Sequence, residues 1–246
     1  MKTITPYSRK TTGYSAEELY LLGAKYESKK KYEVAALNYI RAVKAGSEKA
    51  VAIFDFDFGN LDKMHVDSGR LAIIKEAAHN HFPQAEFSYG ARYYAGIDVE
   101  RNCAISFFWM ERAAKQGHTD AIFYVAEMYR KGEAVSRDIK RAALMTLKAA
   151  IEGCAPAQYR IGKQILSESV SDHEDDMAFQ WILSAAKKGC KDAIHEASNM
   201  MMFGVGTDVD TKKGAELIQK SKTYGGTTPP YHVEKMNANA EGAMVF

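Results

Sequence analysis

With 246 residues, 46% of them hydrophobic and 26% charged, the chain carries enough apolar material for a sizeable core. A formal charge of +2 creates no global field that would recruit nucleic acid or anionic lipid, and three cysteines without a CxxC pair supply neither a disulfide framework nor a zinc knuckle. No apolar run approaches the ~20 residues of a membrane helix, and the polar stretch Met1–Tyr14 has no signal-type apolar segment, so the expectation is a soluble, cytoplasmic protein.

After an N-terminal arm, residues 1–14, the chain divides into units of two helices each. The first unit, 15–46, places helices near 15–28 and 31–45. Gly23 is a small residue in the first helix, Gly46 is a stop, and the basic run Lys29-Lys30-Lys31 lies between the helices. The second, 47–81, places helices near 48–58 and 67–80 and ends at His81. The third, 82–117, reads most clearly. Phe87, Tyr89, Gly90 and Tyr93 follow helical spacing to a break at Gly96, and a second helix carrying Phe108, Trp109 and Ala113 stops at Gly117.

Units 118–153, 154–189 and 190–225 repeat that pattern with a period of 36. Gly117, Gly153, Gly189 and Gly225 form one column and Gly90, Ala126, Gly162 and Ser198 another. Gly96, Gly132, Glu168 and Gly204 form a third, and Trp109, Met145, Trp181 and Leu217 a fourth. The small column lets the two helices of a unit cross closely. Terminal glycines supply the left-handed residue beyond a helix. Asp138 and Asp210 stand where N-caps of second helices belong. The acidic run 168–176 reads as a loop in the fifth unit, and the segment from Gly225 through Pro229-Pro230 ends the repeats, leaving 226–246 as an extended or disordered tail.

Chemistry is sparse. Asp57-Phe58-Gly59 has no companion kinase motifs, the acids Asp55, Asp57 and Asp62 lack the glutamate that closes a calcium loop, and Gly204-Val205-Gly206 has no third glycine or preceding strand. His79 and His81 have no nearby metal partners. Cys154 and Cys190 lie one period apart, a separation of roughly 10 Å between stacked helix pairs, too long for a disulfide; both read as small buried residues. Trp109 and Trp181 read as core. Of acid–base pairs, only His195 with Glu196 and His65 with Asp67 are close in sequence, and their spacing does not place them on one helix face.

The pattern A-x-[YF]-x-[LVY]-G-x-x-Y-x-x-G…D-x-x-[KR]-A-x-x-W-x-x-[KR]-A-A-x-x-G is carried well by Ala121, Phe123, Val125-Ala126, Tyr129, Gly132, Asp138, Arg141-Ala142, Lys148-Ala149-Ala150 and Gly153. It resembles the Sel-1-like repeat, a relative of the tetratricopeptide repeat, strongly over 84–225 and weakly over 15–81. The resemblance implies an all-α fold, a right-handed α/α superhelical solenoid of about six helix–turn–helix repeats spanning 15–225. It further implies a non-catalytic scaffold that binds another protein on its concave face, with no cofactor, metal, nucleic acid or membrane insertion, and acting as a monomer. First-helix positions that line the groove in the related family correspond to Tyr94, Arg130, Lys163, His195 and Met202, with Phe87, Phe123, Tyr159, Glu127 and Asn199 beside them. The aromatic column Phe87, Phe123, Tyr159 has packing between units as its alternative role. Bacterial relatives serve as adaptors in signalling, envelope or host-contact processes, or as immunity proteins that neutralise a secreted toxin. The resemblance implies one of these roles.

Overall fold

A computed structural model describes residues 13–221. Twelve α-helices and one 3-10 segment occur among the described residues, without a strand. The helices are α1 (Ala16–Ser28), α2 (Tyr32–Lys44), α3 (Glu48–Phe54), α4 (Ser68–His79), α5 (Pro83–Ala95), α6 (Cys103–Lys115), α7 (Thr119–Lys131), α8 (Ile139–Ile151), α9 (Ala155–Glu168), α10 (Asp172–Lys187), α11 (Lys191–Phe203) and α12 (Thr211–Ser221). Taken pairwise they are the helix–turn–helix repeats of an α/α solenoid. They form two compact units: residues up to Phe56 together with Met64–Gly153, and Asp57–Lys63 together with residues from Cys154 onward.

The columns seen in the sequence have physical counterparts. Gly96, Gly132 and Gly204 follow α5, α7 and α11 with φ of 73°, 75° and 72°, a left-handed conformation that ends the helix at little steric cost in glycine. Asp138 and Asp210 accept hydrogen bonds from the Arg141 and Lys213 amides, both at 2.9 Å. Ser15 and Glu18 form a reciprocal capping box at the start of α1.

The small column is a crossing point. A Cβ at Gly162 of α9 would lie 2.5 Å from Ile182 Cγ1 and 3.0 Å from the Ala178 carbonyl oxygen of α10. Gly162→Ala is therefore expected to lose about 1–3 kcal/mol to overpacking, offset by at most ~1 kcal/mol of improved helix propensity. Urea unfolding of that variant beside Gly162→Ala with Ile182→Ala checks the assignment, since trimming Ile182 leaves the backbone contact and relieves only part of the clash.

In the first unit the core is built from Ala35, Tyr39, Ile73, Ile74, Ala77, Ala85, Tyr89 and Trp109. Two ion pairs are set into that unit. Glu86, fully buried on α5, receives Arg112 Nε at 2.9 Å and Gln116 Nε2 at 2.6 Å from α6, and Arg112 also reaches His81. His81 stands in the terminal glycine column with φ of 58°. Arg92, 1% exposed, donates from Nη1 to Asp98 Oδ2 at 2.5 Å and to the Met64 carbonyl at 2.8 Å, while its guanidinium lies 5.5 Å from the Phe56 ring centroid. Asp98 also accepts from the Val66 amide at 3.1 Å and bonds His65 Nδ1 at 2.8 Å. In the second unit the core is Phe179, Ile182, Ala185, Ala186, Ala193, Ile194 and Ala197.

Three expectations change. The helix expected over 48–58 ends at Phe54. Asp55 is extended (φ −67°, ψ 143°), and a 3-10 turn, Phe58–Lys63, follows. Phe54, Phe56 and Phe58 are all buried, and their alternate spacing suits an extended chain better than a helix. The acidic run 168–176 is not a loop: Ser171 caps α10, and Asp172, Glu174 and Asp175 form its first turn, where carboxylates meet the positive end of the helix dipole. Trp181 is half-buried rather than core. The tail, 226–246, lies outside the described residues.

Candidate functional site

First helices supply the candidate face. In the first unit Phe87 and Phe123 are 5% and 1% exposed, so packing takes them up and a partner cannot reach them in this conformation. Phe87 stacks on His118 with ring centroids 4.6 Å apart. Above this base the surface is polar. Tyr94 Oη donates to Glu133 Oε2 at 2.9 Å and accepts from Lys131 Nζ at 2.9 Å. Burial, followed by Glu133, raises its phenol well above the ordinary range. Glu127 is buried, and Arg130 grips it through Nε at 3.1 Å and Nη2 at 2.9 Å while leaving 42% of its own side chain exposed. That hydrogen bond holds the Arg130 guanidinium more firmly protonated than usual.

In the second unit Lys163 Nζ on α9 donates to Glu196 Oε1 on α11 at 2.9 Å. His195 and Asn199 are exposed. Tyr159 is half-buried, and its hydroxyl is raised by burial first, then by the carboxylates of Glu196 and Asp192. Met202 is turned toward its own repeat's second helix, its Cγ 3.0 Å from where a Gly214 Cβ would stand. Thus Arg130, Lys163, His195 and Asn199 reach solvent, Tyr94 and Glu127 are tied into polar contacts, Tyr159 packs against the core of its unit, and Phe87, Phe123 and Met202 serve packing. Sequence reading missed Lys131 and Glu133, and named Glu196 only beside His195, not as the partner of Lys163. The available signal was that Lys163 and Glu196 lie three positions short of one full period.

His118 has a second duty. Its Nδ1 accepts the Ala121 amide at 3.3 Å, capping α7, and this requires an unprotonated nitrogen. Burial lowers its pKa below the ordinary 6.5. The folded state therefore binds fewer protons than the unfolded one as pH falls through that value, and stability must drop there. The expected result is a melting temperature that declines below about pH 6.5 in the native protein and less so in His118→Asn, which keeps a capping oxygen; circular dichroism melts across pH 5–8 provide the check.

Neither acid–base pair noted in the sequence is assembled. Glu196 is engaged by Lys163, Asp67 caps α4 through the Arg70 amide at 2.7 Å, and His65 pairs with Asp98. Among the described residues no cluster of three or more His, Cys, Asp or Glu is placed to hold a metal ion. Cys154 and Cys190 are both buried, as expected, and burial pushes the Cys190 thiol up to about 11. No described helix is long and apolar enough to cross a membrane.

Comparison with known proteins follows the repeat boundaries. The family described as Sel1 repeat matches residues 83–118, 119–154, 155–190 and 191–222. A 91-residue stretch is 28% identical to DAP3-binding cell death enhancer 1 of Rattus norvegicus, covering 37% of this chain and 18% of that protein. Two solved structures share the fold. One is the Sel1 repeat protein from Oxalobacter formigenes, with a TM-score of 0.59 and 24% identity, covering 87% of this chain and 63% of that one. The other is c5321, a protective antigen present in uropathogenic Escherichia coli strains and displaying an SLR fold, with a TM-score of 0.52 and 23% identity, covering 85% and 46%. The chain thus spans under a fifth of the rat protein and about half to two thirds of the two bacterial ones.

Proposed function

The chain belongs to the Sel1 repeat family, whose repeats generally mediate protein–protein interaction, and from that premise we propose that it is a scaffold that clasps one partner protein through the first-helix surfaces of its repeats. The observation that carries the reading is the set of polar heads reaching solvent there: Arg130 in one unit, and Lys163, His195 and Asn199 in the other. Arg130 is held by the buried Glu127 and Lys163 by Glu196, so these two heads are ordered before a partner arrives, which lowers the entropic cost of binding. Arg is also enriched among residues that dominate binding energy.

The resemblance supports a partner that is a secreted toxin or effector, held inactive by tight binding. A host-contact, envelope or signalling adaptor is the second reading, in keeping with the description of c5321 as a protective antigen.

The test compares native protein with an Arg130→Ala, Lys163→Ala, His195→Ala variant in capture from the source cell's lysate, followed by a Kd with the purified partner. A loss of at least about ten-fold in a variant that still melts as the native protein does supports the first-helix face. An unchanged Kd removes it. Whether the captured protein is a toxin or a signalling component decides between the two readings.

A further inference from the structure

The second helix of the fourth repeat carries a feature that repeat packing does not require. Leu144, Leu147 and Ile151 on α8 are 70%, 41% and 69% exposed. Their i, i+3, i+7 spacing forms one stripe about 10 Å long. The opposite side of α8, with Ala142, Thr146, Ala149 and Ala150, is buried in the repeat. In the same columns one period earlier stand Phe108, Glu111 and Lys115, and one period later Gln180, Leu183 and Lys187. Glu111 and Lys115 pair with each other at 2.9 Å, and Leu183 packs on the second unit's core. Only Phe108, 52% exposed, extends the apolar character to a neighbouring repeat. The stripe is therefore particular to this place and not a property of the column.

Charge around it is one-sided. Arg137, Lys140, Arg141 and Lys148 are exposed. Of the nearby acids, Asp138 is occupied in capping α8 and Glu152 lies 3.8 Å from Lys148. The first turn of α8 holds Lys140 and Arg141 and no acidic residue, the reverse of what the positive end of a helix dipole favours. In α10 the same turn holds Asp172, Glu174 and Asp175. Since α4 and α12 also begin with cations and no acid, it is the joining of these cations to the exposed leucines on one side of the helix that sets α8 apart.

We propose that the outer face of α8 is a docking strip for an amphipathic helix of a partner protein that lays apolar side chains on Leu144, Leu147 and Ile151 and carboxylates against Lys140 and Arg141. The helical spacing of the anchors matches helix-on-helix recognition. A single line of side chains on a half-buried helix is too narrow for the broad apolar face with which a surface helix enters a membrane.

The test uses a fluorescent synthetic helix of about 20 residues with leucine at i, i+3, i+4 and i+7 and glutamate on its flanks, and a twin with lysine for every glutamate. Anisotropy is measured with the whole chain, with Leu144→Gln plus Ile151→Lys, and with Lys140→Glu. The double variant installs the residues that α10 carries in these columns, and Lys140→Glu changes a single exposed charge, so a folded control remains even if one of them is unstable. The native chain is expected to bind the acidic peptide at least about ten-fold more tightly than the basic one, the double variant to lose that binding, and Lys140→Glu to weaken it several-fold and flatten its salt dependence. Equal binding of both peptides, no binding of the acidic peptide, or unchanged binding by the double variant overturns the proposal. So does concentration-dependent self-association, or binding to anionic vesicles, that the double variant abolishes, since a second copy or a lipid surface would then be the occupant.

Discussion

Arg112→Ala is expected to lower stability by about 3–5 kcal/mol, the cost of leaving a buried charge without its counter-ion. Glu86 has no exposed surface, and Arg112 meets its Oε1 at 2.8 Å. With the guanidinium gone, Gln116 still donates at 2.6 Å, but a neutral amide cannot balance the charge. The repeat architecture itself suggests the compensated form. One period on, the corresponding residues are Ile122, 2% exposed, and Lys148, exposed; two periods on they are Gln158 and Ser184, joined at 3.1 Å. The site thus accepts an ion pair, an apolar residue with a solvated lysine, or a neutral hydrogen bond. Glu86→Ile combined with Arg112→Lys should recover most of the loss. Urea midpoints of the single and double variants decide the matter: a double variant as unstable as Arg112→Ala would mean that packing of the guanidinium on Trp109, 5.0 Å from its ring centroid, carries the effect instead.

Arg92→Ala comes next in size, at about 3 kcal/mol, toward the lower end for a broken buried pair because Asp98 keeps 13% of its side chain in solvent. The loss should be localised as well as global. Arg92 ties the Met64 carbonyl and underlies Phe56, so it holds both flanks of the 3-10 turn, and Asp98 fixes the Val66 amide. Hydrogen exchange at Val66 is therefore expected to accelerate in Arg92→Ala beyond what the global destabilisation explains. Arg92→Met with Asp98→Asn should restore much of the stability, because it removes both charges and keeps an amide oxygen for Val66. Exchange at Val66 that merely tracks global unfolding would show that the clamp has no local role.

The part of this architecture that could be read from sequence is the part in which one residue type answers one local need. Gly96, Gly132 and Gly204 announce left-handed helix ends, Asp138 and Asp210 announce caps, and Gly90 and Gly162 announce close crossings. Each of these can be recognised from its own few neighbours. What could not be read depends on partners far along the chain. Glu86 stands in a column that holds Ile122, Gln158 and Ile194, and by polarity alone it faces water; Arg112, 26 positions later, supplies the charge that makes its burial tolerable. The second repeat keeps nearly the full period, yet α3 stops at Phe54 where α5 runs on to Ala95, so the period alone suggests a longer helix there. On the candidate face, the pattern located the right helices but not how deeply each side chain lies. Phe87 and Phe123 share a column with Tyr159, yet the first two are buried, and Tyr159 keeps a polar hydroxyl near Glu196 and Asp192.

The glycine crossings also govern how the molecule responds to load. Where Gly162 meets the Ala178 carbonyl and the Ile182 side chain, and where Ser198 Oγ donates to the Gly214 carbonyl at 2.9 Å, the first helix of the repeat offers only a glycine or a hydroxyl at the crossing. Such a crossing leaves little room for one helix to slide on the other, so under tension these helix pairs are expected to open late, and Gly162→Ala, which forces α9 from α10, to lower the force at which its pair opens.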